Sequence, residues 1–195
     1  MKRSNFVHLH THSHYSLLDG ASRVETLVDE AVRQGAPAMA LTDHGNLFGA
    51  IEFYQAARSR GIKPIIGFEA YIAPDKRTIR QTAGPFKNHS YHILLLAENN
   101  KGYHNILKLA TTAYMDGFYY KPRIDKAVLA EHKDGIICLS GCLHSELAMF
   151  LSNDRFDDAL AVANFYKELF GNNYYMELHQ HGIPDCKTEQ CYLFL

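Results

Sequence analysis

Several features that assign a protein to a class are missing from this chain of 195 residues. Its 20 Lys and Arg against 21 Asp and Glu give a net charge of −1, so no global positive charge indicates nucleic-acid binding. The 4 cysteines form no CxxC pair, which argues against a disulfide framework. There is no membrane-length apolar run and no signal peptide, so we expect a cytoplasmic protein without a membrane partner.

The chain also lacks internal repeats, low-complexity segments and a GxGxxG motif, and short apolar runs alternate with helical periodicity. This alternation predicts βα units, and without GxGxxG it favours barrel-like closure over a dinucleotide-binding sheet. Ser22 and Glu25 have the spacing of a capping box. The predicted strands are 6–13, 38–44, 63–73, 91–98, 134–142 and 173–181, the predicted helices are 22–35, 47–61, 101–115 and 154–170, and 74–90 is a predicted loop.

Histidine recurs at every second position of the first predicted strand. Alternation along a strand places His8, His10 and His12 on one face. Neutral imidazoles two residues apart form a good platform for a divalent metal. Taken alone, this pattern also fits ordinary surface or half-buried histidines.

Metal-ligand residue types mark the other predicted strands as well. His44 ends one strand, Glu69 lies within the next, His92 opens a third and Cys142 follows a fourth, whereas Asp19 lies in the turn after the first. The C-terminal ends of strands in a parallel barrel converge on one face. We therefore expect these residues to meet, and core packing explains them poorly.

Six stretches of the chain, from about residue 6 to about 185, resemble a known family. They are similar to the polymerase-and-histidinol-phosphatase (PHP) domain at the N-terminus of bacterial DNA polymerase III alpha subunits. The resemblance implies a distorted, TIM-like (β/α)7 barrel, here incomplete at its C-terminus. The stretches are "HLHTHS…LLDG", "LTDHGNLFGAIEFYQAA", "GIKPIIGFEAYIA", "YHILLLAENNKGYHNILKLAT", "GFYYKPRID" and "LSGCLHSE".

The resemblance also implies a catalytic metal site of nine ligands that holds up to three ions. Zinc is favoured by its imidazole, carboxylate and thiolate donors, with manganese or iron as alternatives. Seven positions here match. They are His10 and His12 for the first ion, Glu69 as a bridging carboxylate, His92 and Cys142 for the second ion, and Asp19 and His44 for the third.

The family's last two ligands, an Asp and a His spaced as D-x-H, are not found in this sequence. We expect residues 1–185 to be a partial PHP domain and 186–195 to be a divergent tail from a truncation or a frame change. The fragment should then be weakly active or inactive. His179 and His181 form another HxH pair, for which solvated strand-end residues are the default interpretation.

The resemblance implies a metal-dependent phosphoesterase that acts in the intact parent as a 3′–5′ exonuclease for proofreading. Its expected partners are DNA 3′ ends, single-stranded or at a primer terminus, and the remaining polymerase and replisome subunits. A non-catalytic module that stabilises the polymerase remains an alternative, and so does a stand-alone histidinol-phosphate-type phosphatase. The chain has no clustered aspartates of a polymerase active site.

Four further residues are candidates for supporting roles. Lys121 and Arg123 could hold substrate phosphates, or they could be a solvated loop pair. Asp43 could orient an imidazole from behind, or it could serve as a turn or cap residue, and His8 could support the ligands on its face. Neighbouring Tyr119 and Tyr120 could stack on bases, although buried packing is the favoured interpretation.

Overall fold

A computed structural model describes residues 6–80 and 90–179 of the chain. The described helices are α1 (Val24–Arg33), α2 (Ala50–Ser59), α3 (Asn100–Met115), α4 (Lys126–Glu131), α5 (Glu146–Leu151) and α6 (Phe156–Phe170). The described strands are β1 (Ala38–Leu41), β2 (Lys63–Ile72), β3 (Tyr91–Ala97), β4 (Arg123–Ile124), β5 (Ile136–Leu139) and β6 (Tyr174–Tyr175).

All six strands belong to one sheet in the order β1-β2-β3-β5-β6, with β4 on the end of β2. The predicted α/β class is confirmed, and β1, β2 and β4 are parallel as expected. The exception is β3, which is antiparallel to both β2 and β5. Antiparallel neighbours need no crossover helix, and the described part of the 73–90 connection forms none.

Alternation along the strands separates a helix-covered outer face from an inner face. On β3, Ile93 and Leu95 pack outward into a core shared with α3, α4, α5 and α6. Leu94 and Leu96 point the other way, into a small inner cluster. Glu69 pairs with Leu94, so its carboxylate shares the inner face. A second core lies between β1 and the first two helices.

Some of the described helices begin with a side-chain cap, and others do not. Asn99, Asp125 and Ser145 each accept a backbone N–H at the start of α3, α4 and α5, respectively. The predicted capping box at Ser22 is wrong, because α1 begins after Arg23 and has no side-chain cap. Sequence periodicity missed α4, which has only 6 residues.

The histidine-rich first segment is less regular than the predicted strand. It makes one isolated parallel bridge, between His8 and Met39, and Thr11 accepts the Thr42 amide at 2.9 Å. These contacts align the segment beside β1 without a continuous ladder.

Several predictions concern residues outside the described ranges. Residues 81–89 of the predicted loop lie there, as do His181 and the predicted boundary at 185. Across residues 6–80 and 90–179, none of the helices combines the length and apolarity that a membrane crossing requires.

Arg123 is a buried residue that binds backbone carbonyls of two neighbouring segments. Its side chain is buried, and its guanidinium donates to the carbonyls of Gly117, Arg77 and Ile79 at 2.9–3.1 Å. The group also lies 5.0 Å from the centre of the Tyr119 ring. These contacts correct the expectation that Arg123 binds substrate, because its donors already face backbone acceptors.

Replacing Arg123 by Met should lower the free energy of unfolding by about 2 kcal/mol, since buried carbonyls lose a charged donor. Urea unfolding followed by circular dichroism measures the change. The control is Arg33→Met, which removes an exposed ion pair with Glu30 and should leave stability nearly unchanged. Equal unfolding midpoints for the two variants would contradict the structural role of Arg123.

Candidate metal centre

The carboxylate of Glu69 lies at the bottom of a cleft and is fully buried. Its Oε2 atom is 2.9 Å from His12 Nε2, 2.9 Å from His44 Nδ1 and 3.3 Å from His10 Nε2. His10 Nε2 and His12 Nε2 are themselves 3.2 Å apart. Three imidazole nitrogens from two segments therefore converge on one oxygen.

This convergence fits a cation better than it fits hydrogen bonds. Glu69 Oε2 and His44 Nδ1 are both buried, yet neither has a partner with hydrogen-bond geometry among the described residues. In a tetrahedral zinc site with Zn–N distances of 2.0–2.1 Å, neighbouring ligand atoms are about 3.3 Å apart. The separations here are close to that value, so the donor set fits a divalent ion.

The other oxygen of Glu69 faces a second set of donors. Glu69 Oε1 is 2.9 Å from His92 Nδ1 and 3.4 Å from Cys142 Sγ, and these two donors are 3.6 Å apart. His92 is the first inward residue of β3, and Cys142 follows β5. Glu69 is thus placed to bridge two sets.

Asp19 completes a third set beside the first. Its Oδ2 atom is 2.8 Å from His44 Nε2 and 3.6 Å from His12 Nδ1. Both rings therefore face Glu69 with one nitrogen and Asp19 with the other, and a neutral ring can bind a metal through only one of the two nitrogens. Six of the seven predicted ligands fall into three-residue groups that could hold an ion, and Cys142 joins through the contacts above.

Asp43 holds the loop that carries Asp19. Its buried carboxylate accepts the Ser13 amide at 2.7 Å, the Ser13 hydroxyl at 2.8 Å and the Ser16 hydroxyl at 2.7 Å. Ser16 Oγ in turn accepts the His44 amide at 3.0 Å. At Gly20, a Cβ atom would lie 1.7 Å from the Ser13 carbonyl oxygen, so the turn closes only with glycine.

Two predicted supporting roles are corrected by these positions. Asp43 contacts two serines rather than an imidazole, so it supports the centre through the loop backbone. His8 is exposed and lies 3.3 Å from Gln34 on the C-terminal end of α1. It therefore does not support the ligand cluster.

Sequence reasoning missed Glu177 and set His179 aside. Glu177 Oε1 lies 2.6 Å from His10 Nδ1 and 2.5 Å from His179 Nε2. The three residues form another group with metal-ligand geometry. Alternation along the predicted strand 173–181 puts residues 177 and 179 on one face, but no local signal links that face to His10.

The cleft above the centre has a volume of about 1010 Å³. Lys121 lines it, with Nζ 4.4 Å from the centre of the Tyr71 ring. Leu18, Phe48 and Tyr120 are exposed by 66–97% and also line the cleft. The mouth of the cleft therefore offers apolar and aromatic surface, and Lys121 adds a cation to the lining.

Electrostatics of the cluster centre on Glu69. Burial alone would raise its pKa, but the surrounding rings of His10, His12, His44 and His92 outweigh burial and hold the pKa far below its usual range. Burial lowers the pKa of His10, yet its contacts with Glu177 and Glu69 prevail and raise the pKa to about 10. In the protein without metal, protons on histidine therefore balance the carboxylate.

The second donor set has the opposite character. Burial lowers the pKa of His92, and the contact with Glu69 offsets this only in part. Burial and the negative charge of Glu69 raise the pKa of the Cys142 thiol to about 12. Cys142 is therefore protonated near neutral pH and must lose its proton when it binds a metal.

Comparison with known proteins gives a consistent family assignment. The profile of the PHP domain matches residues 8–181. The chain is 48% identical over 183 residues to the DNA polymerase III subunit alpha of Borreliella burgdorferi, covering 94% of this chain and 16% of that protein. The chain is also 46% identical over 185 residues to the DNA polymerase III subunit alpha of Thermus aquaticus, and this alignment covers 93% of this chain and 15% of that protein. The chain thus spans about a sixth of the length of these relatives.

Among solved structures, an amidohydrolase from Chromobacterium violaceum is 25% identical with a TM-score of 0.38. The structural alignment covers 54% of this chain and 34% of the amidohydrolase chain.

In the presence of a chelator, the His10–Glu177 contact should contribute most to the free energy of unfolding between about pH 4.5 and 6.5. The folded-state pKa of His10 is raised from 6.5 to about 10, so its contribution is complete below 6.5 and is lost as the pH rises toward 10. The pKa of Glu177 is lowered from 4.5 to about 2, so its contribution is complete above 4.5 and is lost on acidification.

Urea unfolding at a series of pH values measures this profile. His10→Gln should weaken the alkaline decline, and Glu177→Gln should weaken the acid decline. An alkaline decline of equal slope in wild type and His10→Gln would show that another group causes it.

Proposed function

The chain belongs to the PHP domain family, and we propose that it is a metal-dependent phosphoesterase domain that hydrolyses phosphodiesters at DNA 3′ ends. The observation that supports this most strongly is the convergence of His10, His12 and His44 on one buried oxygen of Glu69, at 2.9–3.3 Å. A scaffold module has no physical need for a buried oxygen of Glu69 and a buried nitrogen of His44 that both lack hydrogen-bond geometry.

We assign metal ligation to seven residues in three sets around Glu69. When bound, divalent ions activate water for attack on phosphorus and neutralise charge on the phosphate oxygens. The residues of the chain contribute orientation and protonation. Glu69 holds its two neighbouring sets together, Cys142 releases its proton to bind, and Asp19 balances charge at the exposed side. The ligands are His10, His12, Asp19, His44, Glu69, His92 and Cys142.

Zinc is the preferred ion. Four imidazoles and one thiolate among the donors favour a borderline metal over magnesium or calcium, which take mainly oxygen ligands. Manganese and iron also accept imidazole and carboxylate donors, so they are the alternatives.

The side chains at the mouth of the cleft favour a nucleotide over a small phosphate ester as the substrate. Lys121 places a cation near the centre, where it would contact a phosphate oxygen. Phe48 and Tyr120 present aromatic faces at the mouth, and such faces stack on bases without regard to sequence. Tyr119 instead packs on Arg123, as favoured for it from sequence.

Tyr120 also has an unusual backbone. Its φ is +59°, in the left-handed region that a bulky residue adopts rarely. Strain of this kind persists where the surroundings enforce it and is concentrated at functional sites. This supports a role for the exposed ring at the mouth of the cleft.

In the context of the relatives, the activity would be 3′–5′ proofreading beside polymerisation. The substrate would be a single-stranded 3′ end or a frayed primer terminus, and the partners would be the remaining polymerase and replisome subunits. The evidence for this context is the identity of 46–48% to DNA polymerase III alpha subunits.

Zinc- or manganese-loaded protein should shorten 3′-labelled single-stranded DNA only slowly, because the D-x-H ligand pair of the family is not found in this sequence. His12→Ala should abolish the shortening, because His12 contacts both Glu69 and Asp19. Digestion is measured on sequencing gels, and metal content by elemental analysis. His8→Ala, an exposed histidine outside the cluster, is the matched control and should digest like wild type.

Two outcomes would contradict the proposal. Equal digestion by His12→Ala and wild type would indicate a contaminating nuclease. Stoichiometric metal without digestion of DNA or of a small phosphodiester would favour a non-catalytic module.

Tyr120→Ala should raise KM for single-stranded DNA by about fivefold or more, since stacking on one base contributes about 1–3 kcal/mol. Its KM for bis(p-nitrophenyl) phosphate, which presents no nucleobase, should change much less. The control is Tyr54→Ala, an exposed tyrosine on α2 outside the cleft lining. Parallel changes for both substrates would contradict base stacking at Tyr120.

A further inference from the structure

Glu177 reaches the metal centre from a segment that none of the proposed ligands uses. It follows β6, and its amide donates to Ser140 Oγ at 2.9 Å, while the Ser140 amide donates to the Tyr175 carbonyl at 3.0 Å. These bonds fix the segment beside the end of β5. The side chain is 9% exposed, and its Oε1 atom is 2.6 Å from His10 Nδ1.

The two nitrogens of His10 therefore have different partners. Nδ1 contacts Glu177, whereas Nε2 lies 3.2 Å from His12 Nε2 and 3.3 Å from Glu69 Oε2. A neutral imidazole has one N–H and one lone pair, and an ionised carboxylate can only accept. When a metal displaces the second proton and the ring is neutral, the contact with Glu177 thus keeps the remaining proton on Nδ1 and leaves the lone pair on Nε2, directed at the centre.

A separate ion held by His10, Glu177 and His179 is the competing arrangement, because these residues also have metal-ligand geometry. That ion would need the lone pair on His10 Nδ1. The neutral ring would then carry its proton on Nε2 and would be lost to the central cluster. One neutral imidazole cannot serve both sites.

We propose that Glu177 is a positioning residue that fixes the tautomer and the ring orientation of His10 and so raises metal affinity at the centre. The proposal rests on the metal centre of the proposed function. It also accounts for Glu177 Oε2, which is buried without a hydrogen-bond partner among the described residues. Such a costly placement is explained if Oε1 must reach His10.

Zinc affinity, measured by competition with a chromophoric chelator, tests this role. Glu177→Ala should weaken binding by about 10- to 100-fold, the range for lost partners of metal-binding histidines. Glu177→Gln keeps a carbonyl that can accept from Nδ1–H and should recover most of this loss. Glu168→Ala, which removes an exposed carboxylate on α6, should leave zinc affinity unchanged.

Nitrogen-15 NMR of the zinc-loaded protein supplies a readout that a merely structural role would not change. In wild type and Glu177→Gln, His10 should show zinc on Nε2 and a proton on Nδ1. Glu177→Ala should show a mixed or altered His10 pattern. If Glu177→Ala does not fold, Glu177→Asp, whose shorter side chain withdraws the acceptor, should show the same losses.

The possible failures can be told apart. Absence of zinc binding by wild type would overturn the metal centre and with it the proposed function. Zinc bound equally by wild type, Glu177→Ala and Glu177→Asp, with the same His10 pattern, would overturn only the role of Glu177. Zinc on His10 Nδ1 in wild type would overturn it in favour of the separate site.

Discussion

A single buried carboxylate, that of Glu69, organises the cleft. Removing a carboxylate from water costs on the order of several kcal/mol unless positive charge surrounds it. His10 and His44, whose pKa values are raised by their contacts with carboxylates, supply part of that compensation as protonated rings. In the proposed metalloprotein, divalent ions held by His10, His12, His44 and His92 would supply it. Protons and metal therefore compete for the same lone pairs, and the fold is stabilised by whichever is bound.

The antiparallel placement of β3 is what brings His92 to this carboxylate. His92 is the second residue of its strand, so in a wholly parallel sheet it would lie at the opposite rim from Glu69. Because β3 runs against β2, its beginning lies beside the end of β2, and His92 pairs with Tyr71. β5 is antiparallel to β3 in turn, which returns Cys142 to the same rim. The polarity of two strand pairs thus decides the composition of the site.

Much of this site could be predicted from sequence because its candidate ligands carry local signals. His10, His12 and His44 lie next to apolar runs, and Glu69 interrupts a buried strand. The prediction that they meet holds, although the parallel geometry used for it does not apply to His92. Glu177 was out of reach, since its contact with His10 joins residues 167 positions apart. The burial of Arg123 also depends on carbonyls distant in sequence.

The loop that carries Asp19 shows how a residue without ligand chemistry can decide ligand position. Asp19 is half exposed, and within the centre it contacts only His12 and His44 through the described side-chain distances. The position of Asp19 is set by the loop on the side away from the cleft. There Asp43 binds Ser13 and Ser16, and Gly20 allows the turn to close. The amide of His44 donates to Ser16, so the same network fixes both partners of the Asp19–His44 contact. Asp43 therefore supports the third set of candidate ligands through the backbone, because its carboxylate and the His44 amide both bind the Ser16 hydroxyl group.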